Sequence, residues 1–85
     1  MLFMVVEHFR AETRQAMAER FATRGRLLPD GVEYIDSWMA ADGGKCYQLM
    51  RAADADALEV WIDRWSDLVD FEFEPVIASA QYWAT

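Results

Sequence analysis

His8 is the single histidine of the chain and Cys46 its single cysteine, so acid–base and nucleophilic chemistry have few side chains to draw on. An imidazole with an ordinary pKa of ~6.5 exchanges protons near neutrality. His8 follows the apolar run Met1–Val6 and Glu7, just before the composition changes at Arg10. That placement predicts a strand end beside a strand-to-helix loop, where a general acid or base can reach a substrate. It equally suits a histidine bonded to backbone or solvent. Cys46 would need a neighbouring base or a helix N-terminus to become a nucleophile; otherwise a lone strand cysteine packs as a small hydrophobe.

A second group could recognise a ligand. Tyr34, Asp36 and Trp38 recur two apart, as do Cys46 and Gln48, and Asp42-Gly43-Gly44 between them signals a hairpin. If residues 40–44 form the loop, Trp38 faces Cys46, Asp36 faces Gln48 and Tyr34 faces Met50. These residues then share one sheet face, with His8 on the neighbouring strand at the same end. A wide aromatic, a carboxylate, an amide and an imidazole together would suit a small, planar, polar organic molecule. A loop shorter by one residue shifts the register and groups Ser37 with Cys46 and Gln48 instead. Both registers fit the residues, and polar groups half-buried at a subunit interface would leave the same pattern.

The elements that must position these side chains are legible. Leu2–Phe9 is β-branched, aromatic and continuously apolar, the mark of a strand covered on both faces. Ala11–Arg24 is rich in helix formers, with Gly25 suited to the left-handed position after the helix. Leu28-Pro29-Asp30-Gly31 is turn chemistry. Strands follow over Val32–Met39 and Lys45–Arg51. Leu58, Trp61, Ile62, Trp65, Leu68 and Val69 fall on one face of a second helix, with Asp54 or Asp56 as its cap and Asp56 with Glu59 as a capping box. That spacing assigns Trp61 and Trp65 to the core, with an aromatic ligand box as the alternative. Phe71–Ala78 is a fourth strand, placed at an edge or bulge by Pro75, and Ser79–Thr85 is a tail.

The order β-α-β-β-α-β in one domain, residues 1–85, is that of the ferredoxin-like split βαβ. Right-handed crossovers then give a four-stranded antiparallel sheet of order 4-1-3-2 with two helices on one face. Its central strands are apolar on both sides, and an uncovered apolar sheet exceeds the patch that soluble monomers expose. A homodimer formed through the open sheet face is therefore expected.

Composition excludes several functions. The chain has 85 residues, 54% of them hydrophobic, and a net charge of −7. It is too apolar for a disordered acidic tail and too acidic for a general nucleic-acid binder. Charge is uneven: residues 1–28 carry five arginines against three glutamates, and residues 29–85 carry three basic groups against twelve acidic ones. The early arginines can hold an anion or pair with those acids. One cysteine and one histidine make neither a disulfide scaffold nor a recognised metal site. Lys45–Ala52 lacks the pattern of an RNA-recognition strand. A catalytic asparagine of the acylphosphatase kind is impossible in a chain without Asn. No Gly-rich phosphate loop occurs. No metal or organic cofactor, no nucleic acid and no membrane are expected as partners. With neither a signal peptide nor a spanning segment, the expected location is the cytoplasm.

The phrases MLFMVVEHF, RGRLLPDGVEYIDSW, CYQLM and WIDRWSDLVDFEFEPV resemble a small bacterial family of unknown function. That family is similar to the dimeric α+β-barrel superfamily, in which two ferredoxin-like protomers close their sheets into one barrel. The resemblance implies the fold and a homodimer. It offers a range of activities: cofactor-free monooxygenases of small aromatics, lactone isomerases, haem-dependent enzymes, stress-responsive proteins and effector-binding modules. Two readings follow. One is a protein binding a small organic ligand beside the sheet. The other is a cofactor-free monooxygenase or isomerase in which His8 moves a proton, Trp38 and Tyr34 frame the substrate, and Asp36 or Gln48 orients it.

Overall fold

In a computed structural model describing residues 1–84, the strands and helices follow the order the sequence implies. They are β1 (Leu2–Phe9), a single 3-10 turn (Ala11–Thr13), α1 (Arg14–Arg24), β2 (Glu33–Met39), β3 (Lys45–Arg51), α2 (Ala55–Asp63), β4 (Val69–Val76) and a short α3 (Ser79–Trp83). The strands form one antiparallel sheet of order β2-β3-β1-β4. Read from the other edge this is 4-1-3-2, the ferredoxin-like arrangement. Pro75 stands on edge strand β4, where a missing N–H costs no ladder bond.

The sheet buries one face. Phe3 and Val5 of β1 and Met50 of β3 join Leu58, Trp61 and Ile62 of α2, with Trp65 beyond its end, in the core. Asp54 caps α2, its carboxylate accepting the Ala57 N–H at 2.9 Å. The capping box expected at Asp56 is not the one used. The apolar spacing also overruns the helix. After Asp63 the chain turns, with the Leu68 and Val69 N–H groups both bonded to the Trp65 carbonyl, and Val69 already pairs with Phe9 as the start of β4. Residues 79–83 of the expected tail form α3; Thr85 lies outside the described residues.

Both indoles, Trp61 and Trp65, donate to one carbonyl, that of Arg26, at 3.0 and 2.8 Å. Both rings are buried, each with its single donor satisfied. The same bonds pin the loop between α1 and β2, where Gly31 and Leu27 have positive φ.

α1 is attached differently. None of its residues is buried. It is tethered by polar links: Arg20 forms a two-pronged bond to Asp67 at 2.8 and 2.7 Å, and Arg14 donates to the Gly43 carbonyl on the hairpin tip. Just ahead of it, the Thr13 hydroxyl donates to the Leu68 carbonyl at 2.6 Å. Of its side chains only Met17 packs against the core, and space is left beneath the helix.

Candidate functional site

That space is a cleft of about 350 Å³ between α1 and the helix-side face of the sheet. Met17, Ala18 and Phe21 of α1 form one wall, Trp61 and Trp65 another, and Phe9 and Met39 flank the mouth. Its polar content comes from Glu7, Ser37, Cys46, Gln48 and Arg26.

Pleating and register bring these together. Glu7 pairs with Cys46, Val5 with Gln48, Met39 with Cys46 and Ser37 with Gln48, so the side chains of Glu7, Ser37, Met39, Cys46 and Gln48 project to one face. The Gln48 amide donates to the Glu7 carboxylate, and both side chains are buried. Gln48 Oε1 is also buried and has no partner among the described residues. The Tyr34 and Ser37 hydroxyls share a hydrogen bond of 2.6 Å, and the Arg26 guanidinium lies 3.5 Å above the centre of the Tyr34 ring.

Burial pushes the Glu7 carboxyl above its ordinary value. The Gln48 hydrogen bond, the Arg26 charge and the Cys46 thiol pull it part of the way back. Burial also raises the Cys46 thiol, and the nearby Glu7 charge raises it further. Cys46 is therefore protonated and a weak nucleophile, the opposite of what thiol catalysis requires.

The structure divides the residues singled out from sequence. The hairpin takes the shorter loop, with the Ala40 N–H bonded to the Lys45 carbonyl at 2.8 Å. Trp38 then faces Tyr47, and Asp36 faces Leu49. A register shift between Tyr34 and Asp36 restores the pairing of Tyr34 with Met50. Tyr34, Cys46 and Gln48 accordingly lie on the helix side, while Asp36, Trp38 and His8 lie on the open side. The shared face expected from a five-residue loop does not form. His8 Nε2 sits 2.6 Å from Glu72 Oε1 on that open face, with a partly exposed ring. Glu7 is the residue that sequence reasoning passed over. Its only signal was position: it continues the alternation Phe3, Val5, Glu7 onto the side the helices cover.

Among the described residues no cluster of three His, Cys, Asp or Glu side chains is placed to hold a metal ion, and no helix is long and apolar enough to cross a membrane. The early arginines find the later acids, as Arg20 with Asp67 and Arg10 with Asp70.

Comparison with solved structures finds the same fold in Rv0793 from Mycobacterium tuberculosis, 20% identical, with a TM-score of 0.53 over 93% of this chain and 97% of that one. At that identity the likeness is one of fold. No curated protein matches the sequence. The family described as a domain of unknown function, DUF3303, matches residues 1–85.

Proposed function

The chain belongs to the DUF3303 family, whose description carries no reaction, and we propose from its cleft that it is a homodimeric protein binding a small organic molecule between α1 and the sheet. The observation that carries this reading is the buried Glu7–Gln48 pair inside a largely apolar, aromatic-walled space. A buried carboxylate is costly and a buried carbonyl oxygen without a donor adds to the cost. A fold tolerates such groups where they meet a ligand. Cys46, Gln48 and Tyr34 belong to this site or its support, joined by Glu7 and Ser37.

Dimerisation is supported by the opposite face. Leu2, Met4, Val6, Tyr47, Leu49 and Trp38 share it, and Trp38 is 53% exposed. The edge strand β4 turns Asp70, Glu72 and Glu74 toward the same side and carries Pro75, which discourages a partner from adding along that edge. A second copy therefore meets the face.

The test fills the cleft. Ala18 is an exposed residue of its wall, and A18W places an indole in the space. Naphthalene-sized ring compounds should raise the melting temperature of the native protein and leave A18W unmoved. Equal shifts in both proteins would place the ligand elsewhere. The enzyme reading in which His8 is the acid or base needs its substrate on the open face. In the cleft reading H8A binds these compounds like the native protein.

A further inference from the structure

Building on the reading of the cleft as the ligand site, we infer that it selects neutral ring compounds that carry an O–H or N–H donor, received by the Glu7 carboxylate and Gln48 Oε1. The polar groups that line the space are unequally committed. The Gln48 amide N–H is spent on Glu7, and the Ser37 hydroxyl is engaged with Tyr34. Arg26 lies over the Tyr34 ring at 3.5 Å and near the Phe21 ring at 5.3 Å. Beside the guanidinium of Arg26, whose face the rings engage, what the Glu7–Gln48 pair leaves for a ligand is acceptor capacity: Gln48 Oε1, on a residue only 4% exposed, and the carboxylate lone pairs that the amide leaves over.

Charge and shape narrow the class. Glu7 and Arg26 are of opposite sign and act on each other across the cleft, so their charges offset and neither sign of ligand is favoured over a neutral molecule. Phe9, Phe21, Trp61 and Trp65 with the thioethers of Met17 and Met39 make the remaining wall, a lining suited to a flat ring. A site that buries an unpartnered acceptor penalises any ligand that cannot supply the donor, because the acceptor then stays desolvated and unpaired.

Paired probes test this by titration calorimetry: 2-naphthol against 2-methoxynaphthalene, and indole against 1-methylindole. Within each pair methylation removes the donor and adds one methyl group. The native protein should bind the donor-bearing member roughly ten- to a hundredfold more tightly, the range expected for one hydrogen bond to a charged acceptor. In E7Q the new amide can itself donate to Gln48 Oε1, so the preference should collapse. If E7Q fails to fold, the comparison within each pair on the native protein still decides. Equal binding of donor and methylated probes would overturn the inference while leaving the cleft as a ring-binding site. Tighter binding of 2-naphthoate than of 2-naphthol would overturn it in favour of an anion held by Arg26. Binding of none of these compounds would overturn both the inference and the reading it rests on.

Discussion

A carboxylate buried in a protein interior keeps its proton to higher pH than one in water, and Glu7 is such a carboxylate. Because its folded pKa lies above the ordinary value of 4.5, the folded state holds this proton more tightly than the unfolded one. The Glu7 contribution to stability is therefore full below that value and is lost as pH rises through the folded pKa. Melting curves of the native protein and E7Q should show the variant gaining relative stability as pH rises above 4.5; an offset that does not change with pH would mean that Glu7 is not desolvated. The importance of Glu7 over His8 was hard to read beforehand for a physical reason. In Leu2–Phe9 both faces are apolar, so the alternation that separates Glu7 from His8 is present without any mark of which side the helices cover. The Asp36 and Trp38 positions turned on one residue of the hairpin loop, where Asp42-Gly43-Gly44 fits either register, and that of Tyr34 on an irregularity beside Ile35 as well.

The elements themselves were legible, because each has its own local reason to form: β-branched and aromatic residues in β1, helix formers in α1, Asp42-Gly43-Gly44 in the hairpin. The end of α2 was not. Leu68 and Val69 continue a helical spacing, yet pairing Val69 with Phe9 in the sheet outweighs one more helical turn. Two predictions belong to this scale. D54A removes the side-chain cap of α2 and should cost about 1 kcal/mol in chemical denaturation while leaving the affinity of the cleft unchanged. R20A cuts the two-pronged link from α1 to Asp67 and removes a guanidinium lying 5.5 Å from the Trp65 ring centre. Since α1 buries no residue of its own, amide exchange should accelerate over residues 14–24 and stay slow in β1 and β3. Uniform acceleration would show that α1 is part of the core rather than a tethered wall.

At the level of the whole molecule the 85 residues have two different sheet faces to satisfy. One is filled by α2 and shared with the cleft; the other offers Met4, Val6, Tyr47 and Leu49, and no helix packs on it among the described residues. L49E, which sets a charge in the middle of that open face, should convert a dimer into a monomer in sedimentation equilibrium. A native protein that sediments as a monomer at every concentration would contradict the dimer. Ligand binding on the helix side should survive the substitution, since the two faces are separated by the thickness of the sheet. Amide chemical-shift mapping with 2-naphthol reports, residue by residue, the side of the sheet on which the ligand sits. The largest shifts should fall at Glu7, Phe21, Cys46 and Gln48. Largest shifts at His8, Trp38 and Tyr47, on the open face, would contradict the cleft reading.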